Sequence, residues 1–234
     1  MDAVSECGLV LALEGRSDTR RCRVAVACAV IAGWTGRDAA VVQRHIEELE
    51  ELGVPRPRSV PAFYRVAVNR ITVADCIEVT GERSSGEVEF VLMQLGEELW
   101  VGVGSDHTDR TVETFDVGAS KQMCDKPIAE RFWRFTDISP HWQQLRLRSY
   151  IGLERVEYQA GSVAAILDPA HLVSAYCGTG RLKDGTLMFC GTLPALGEVR
   201  PGSPFTFELE DPVLKRTIRH TYRSALLAER AAAR

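Results

Sequence analysis

Apolar residues in this chain mostly alternate with polar ones or run together over short stretches, and only rarely recur at helical spacing. Residues 8–13 and 22–31 flank the polar turn Glu14-Gly15-Arg16-Ser17-Asp18 and read as two strands. After Gly33-Trp34-Thr35-Gly36, residues 38–52 set Val41, Val42, Ile46, Leu49 and Leu52 on one arc and Gln43, Arg44, Glu47, Glu50 and Glu51 opposite. That spacing predicts an amphipathic helix, ended by Gly53 and Pro55. Pro55, Pro57 and Pro61 mark an extended connection, because each disfavours helical angles in the residue before it. Strand signals dominate downstream, at residues 71–73, 77–80, 87–95, 99–103, 145–151, 187–190 and 205–209. Short helices are predicted near 127–132 and over 169–176, and the Ala-rich residues 224–234 read as a frayed helix. The order of these elements predicts an α+β, strand-rich fold with a large mixed sheet.

Composition narrows the partners. The chain has 234 residues, with 28 Lys and Arg against 32 Asp and Glu, a formal charge of −4 with the signs interspersed. No basic excess exists to grip a polyphosphate backbone, so nucleic acid is not an expected partner. The longest apolar run, residues 24–32, falls well short of the roughly 20 residues a bilayer-spanning helix needs, and no membrane partner is expected. The acidic start, Met1-Asp2-Ala3-Val4-Ser5-Glu6, lacks the basic and apolar regions of a signal peptide. Seven cysteines without a CxxC pair fit neither a disulfide framework nor a zinc ribbon. The expected location is the cytoplasm.

Several segments carry candidate chemistry. In a strand, Glu87 and Glu89 point to one face, and the residues that follow are apolar on both faces. Two carboxylates at the head of a buried strand need a cation or must take up protons, whereas an exposed strand end would leave both in water. Ser105-Asp106-His107-Thr108-Asp109-Arg110 follows the strand at 99–103, and Asp106 there offers a third oxygen ligand. Three carboxylates with no His-x-His or Cys pair suit a hard cation, Mg²⁺ or Mn²⁺. The alternative is a polar turn whose aspartates bond their own backbone. On the helix, His45 falls inside the apolar arc with Glu48 at its border three residues on, an arrangement that suits a buried general base or the more ordinary core-edge histidine beside a solvated acid. Lys121 offers a positive charge, and Gly191-Thr192 ends a strand in a turn with a hydroxyl and free amides.

Taken in order, these pieces resemble the fumarylacetoacetate hydrolase superfamily. The matching segments are Glu87-Val88-Glu89, Asp106-His107-Thr108-Asp109-Arg110, Lys121, Tyr158-Gln159-Ala160-Gly161 and Gly191-Thr192. His45-Ile46-Glu47-Glu48 is similar to the His-x-x-Glu of the acylpyruvase-like members, and the full pattern looks like a bacterial branch catalogued as a domain of unknown function. The resemblance implies a mixed β-sandwich roll, with residues 1–70 as an N-terminal hairpin and lid helix packed on a catalytic core at 71–234, in one integrated domain. It also implies a homodimer. Glu87, Glu89 and Asp106 would hold Mg²⁺ or Mn²⁺. His45, held by Glu48, would activate water, Lys121 would stabilise developing negative charge, and Arg110, Gln159, Gly191 and Thr192 would hold the substrate. The implied reaction is hydrolysis of a C–C bond in a small 2-oxo or 1,3-dioxo acid, acylpyruvate-like. The alternatives are a decarboxylase, tautomerase or hydratase with the same metal site, and a non-catalytic small-acid binding protein.

Overall fold

The computed structural model describes residues 7–51, 56–178 and 180–227. The expected helix stop at Gly53 and Pro55, and the tail beyond residue 227, lie outside them. The N-terminal part contains β1 (Cys7–Glu14), β2 (Thr19–Val26), β3 (Cys28–Gly33), α1 (Ala39–Glu51) and β4 (Ala62–Val66). There follow β5 (Ile71–Thr72), β6 (Cys76–Val79), β7 (Ser84–Ser85), β8 (Val88–Leu95), β9 (Glu98–Ser105) and β10 (Thr108–Asp109). Next come α2 (Arg110–Glu113), α3 (Val117–Met123), β11 (Lys126–Pro127), β12 (Arg131–Arg134) and α4 (Phe135–Ile138). The chain continues through β13 (Arg146–Ile151), β14 (Val156–Ser162), α5 (Pro169–Cys177), β15 (Thr186–Thr192), β16 (Phe205–Asp211) and β17 (Arg216–Leu226).

An eight-stranded mixed sheet runs in the order β2-β1-β12-β9-β8-β15-β3-β4, and a five-stranded sheet in the order β14-β13-β16-β17-β6. The continuous apolar run of β8 explains its central place. Val88, Phe90 and Leu92 face one core, shared with Leu147, Phe207, Leu209 and Ile218 of the smaller sheet. Val91 and Met93 face a second core, with Leu11, Leu13, Ile31, Phe132 and Phe189. A strand walled on both faces has no use for polar alternation. The architecture is α+β and strand-rich, as the sequence predicts.

Three local expectations change. The apolar stretch at 22–31 is two strands broken at Ala27, because the backbone amides of Ala27 and Cys28 both donate to Gly185 O. Thereafter β3 leaves β2 and joins β15 in parallel. The segment 127–132 is not helical: Ile128 N donates to Thr72 O and Ala129 N to Val103 O, which hold it extended between neighbours. Ser224 to Leu226 end β17, paired in parallel with β6, rather than forming a helix.

Helix α1 starts where expected, with Asp38 Oδ1 accepting from the amides of Ala40 (3.0 Å) and Val41 (3.2 Å). Of the described side chains in the sequence arc, Ile46 is buried and Val42 half-buried, but Val41 and His45 are exposed. Among the described residues, no helix is long and apolar enough to cross a membrane.

Candidate metal centre

The acids meet because β8 and β9 are antiparallel neighbours, with Val88 opposite Ser105 and Glu89 opposite Gly104. The start of one strand therefore lies beside the end of the other, and Asp106 N donates to Glu87 O at 3.0 Å. Gly104 leaves room there that no larger residue could: a Cβ would sit 2.7 Å from Phe189 and 2.9 Å from Ile128. Glu87, Glu89 and Asp106 each offer an oxygen, all within 4.8 Å of one another. Glu89 and Asp106 are buried, and Glu87 is only partly exposed.

Three cations surround this cluster. Lys121 Nζ lies 2.5 Å from Asp106 Oδ2 and 3.9 Å from Glu87. Lys126 Nζ lies 3.0 Å from Asp106 Oδ1, outside hydrogen-bonding geometry, and donates to His107 O. Arg110 faces Glu87 at 3.0 Å and also bonds Glu113 and Ser85 Oγ, both at 2.7 Å.

The charges divide the carboxylates. Burial raises Glu89 well above the ordinary carboxylate range, reinforced by Asp106 and Glu87, while Lys121 and the Gly191 amide only partly oppose it. Burial alone would raise Asp106 too, but Lys121 and Lys126 outweigh it and hold the group at about 2. For Lys121, burial acts downward and is overcome by Asp106, Glu87 and Glu113, so the ammonium is stabilised. Lys126 goes the other way: its burial and the nearby Lys121 outweigh Asp106. A buried carboxylate forced towards protonation by two like neighbours is a group that a divalent cation would relieve. With an all-oxygen donor set, the residues fit a hard ion.

The other expected site residues are placed differently. Gly191 N donates to Glu89 Oε2 at 2.7 Å, so that amide orients a candidate metal ligand instead of a substrate carboxylate. Thr192 Oγ1 donates to Val88 O and accepts from Gln159 Nε2. Gln159, expected to touch substrate, is buried and saturated: it also donates to Leu193 O and accepts from Val88 N and Ser149 Oγ. It ties β14 to β8 and to the end of β15. Arg110, expected to grip a carboxylate, is committed to Glu87 and Glu113. His45, placed inside the apolar arc by the sequence, is not buried, and Glu48 beside it is solvated. The imidazole has Nδ1 3.6 Å from Glu48 and is tilted against Trp34 at 5.8 Å. Among the described residues no contact links it to the acids. Asp109 follows the plainer expectation, capping α2 through the amides of Thr111 and Val112.

Sequence reasoning missed Lys126, Thr35 and Ser84. Lys126 lies in an unbroken buried run from 126 to 129, which no periodicity in the sequence marks. Ser84 Oγ and Tyr222 OH bond the two ring nitrogens of His107, at 3.0 and 2.7 Å. Tyr222 OH also meets Ser105 Oγ, which accepts from Glu87 N, so the network fixes the backbone beneath a ligand. A cavity of about 470 Å³, lined by Trp34, Val42, Ile46 and Leu167 among others, opens beside α1 and includes none of the three acids.

The fold is of the fumarylacetoacetate hydrolase type. The chain superposes on yeast ynq8, a fumarylacetoacetate hydrolase family protein, with a TM-score of 0.57 at 15% identity, covering 88% of this chain and 96% of that one. It superposes on the apo form of 2-keto-3-deoxy-D-arabinonate dehydratase with a TM-score of 0.56 at 13% identity, covering 85% and 73% respectively. Within that architecture the chain belongs to the family described as protein of unknown function (DUF2848), which matches residues 32–222. No curated protein matches the sequence.

Proposed function

We propose that this protein is a divalent-metal-dependent enzyme acting on a small 2-oxo or 1,3-dioxo acid, hydrolysing a C–C bond in an acylpyruvate-like substrate. The observation that carries the proposal is the convergence of Glu87, Glu89 and Asp106 oxygens within 4.8 Å, beside a buried lysine. Mg²⁺ or Mn²⁺ bound there would act as a Lewis acid, polarising chelating substrate oxygens. Lys121, at the edge of the cluster, would place a fixed positive charge where the substrate becomes negative. The Gly191 amide and Arg110 hold Glu89 and Glu87 in place. His45, paired with Glu48, would take the proton from water, which requires α1 to close towards the acids. A homodimer is part of this reading, as is a cytoplasmic location.

A second reading keeps the metal site but omits water attack, making the reaction a decarboxylation, tautomerisation or hydration of an oxo-acid. The exposure of His45, away from the acids, favours it. The test is a Mn²⁺-supplemented turnover screen over acylpyruvates, oxaloacetate and fumarylpyruvate-like acids, with wild type, His45→Ala and Glu89→Gln. The hydrolytic reading expects turnover of an acylpyruvate, a loss of roughly 10²-fold or more in His45→Ala, and none in Glu89→Gln. Near-wild-type turnover in His45→Ala overturns the water-activating role and leaves the second reading. Metal-dependent ligand binding with no product from any acid would identify a non-catalytic binding protein.

A further inference from the structure

Lys126 is wholly buried, yet nothing in the proposed reaction uses it. Its backbone is held in place. Lys126 and Pro127 pair in parallel with Ile71 and Thr72, and the next residue, Ile128, donates to Thr72 O. From that fixed strand the buried ammonium reaches His107 O and Asp106 Oδ1. Asp106 is bracketed, with one ammonium on each oxygen: Lys121 on Oδ2, from the partly accessible α3, and Lys126 on Oδ1, from a strand.

We propose that Lys126 is a built-in counter-charge that holds Asp106 in place before the divalent ion arrives and sets how tightly that ion binds. The inference rests on the metal-site reading above. A carboxylate with no exposure is costly to bury without an opposite charge. In the metal-free protein Lys126 supplies that charge from a fixed position. Once a divalent ion coordinates Asp106, the ion supplies it, and the ammonium and the ion then repel each other across one carboxylate. Removing the charge of Lys126 therefore harms the empty protein more than the loaded one. Both effects tighten ion binding, whereas a merely structural lysine would destabilise both states alike. Lys126 is on this account a positioning residue that stabilises the empty site and thereby lowers its metal affinity.

The experiment titrates Mn²⁺ into wild type, Lys126→Met and Lys126→Gln by calorimetry, and records thermal melts with and without Mn²⁺. The expected result is a lower melting temperature for both variants without Mn²⁺, a larger Mn²⁺-induced rise than in wild type, and a Mn²⁺ Kd tighter by roughly tenfold or more in Lys126→Met. A Kd equal to or weaker than wild type overturns the proposal. So does failure of both variants to fold even when refolded with Mn²⁺, because the ion would then not replace the lysine. If wild type shows no Mn²⁺ binding, the underlying metal-site reading falls as well. Normal wild-type binding with an unchanged variant Kd removes only the role of Lys126.

Discussion

His107 shows how far one buried side chain departs from its behaviour in water. Both ring nitrogens are bonded to hydroxyl groups inside the fold. Burial, with Lys126 and Arg110 nearby, lowers its pKa from 6.5 to about 3. The sign follows from the unfolded chain, which takes up a proton near 6.5 while the folded chain does not until about 3. The stability that His107 contributes is thus fully present above about 6.5 and drains as pH falls towards about 3. The loss is about 1.4 kcal/mol for each pH unit in that window. His107→Gln should therefore flatten the acid limb of unfolding free energy against pH, measured by urea titration at several pH values. An unchanged slope would assign that limb to other groups.

At the scale of elements, the site depends on a contact between the exit of β3 and the end of β15. Trp34 leaves β3 with φ 59°, a region costly for a bulky residue, and Thr35 follows against Gly191. Gly191 has φ 99°, and a Cβ there would lie 1.7 Å from Thr35 Oγ1. Gly191→Ala should cost at least the roughly 1–3 kcal/mol of an unfavourable backbone conformation, plus the clash. Adding Thr35→Gly should recover the clash but not the backbone part, so the double variant should melt between Gly191→Ala and wild type. No recovery would mean the two segments do not press on each other. Helix α1 illustrates the limit of periodicity: its apolar spacing is real, yet among the described side chains of that arc Ile46 is buried while Val41 and His45 are exposed.

At the scale of the whole molecule, the N-terminal and C-terminal parts share one sheet. Strands β1 to β4 pair with β12 and β15 in the same sheet as β8 and β9. They cover Val91, Met93, Trp100, Leu187 and Phe189 in the second core. A fragment comprising residues 71–234 would expose that face and leave β12 and β15 with open edges. It should show no cooperative thermal transition by circular dichroism; a sharp melt would demonstrate that the C-terminal part folds alone. The acids sit in or directly beside the central strands β8 and β9, so site geometry and global stability are expected to fail together.

The sequence by itself determined what depends on nearby residues. Alternation placed Glu87 and Glu89 on one face, the strand read at 99–103 put Asp106 beyond its end, and Asp38 marked the start of α1. The order of these segments was enough to indicate the fold. Tertiary structure decided everything that depends on which distant group a side chain meets. It gave Arg110 to Glu87 and Glu113, closed the hydrogen bonds of Gln159, left His45 exposed and buried Lys126 against Asp106. Periodicity fixes the direction in which a side chain leaves the backbone. The charge or hydrogen-bond partner waiting there comes from strands far away in the chain, and only their pairing sets whether a polar group is satisfied, exposed or left for an ion.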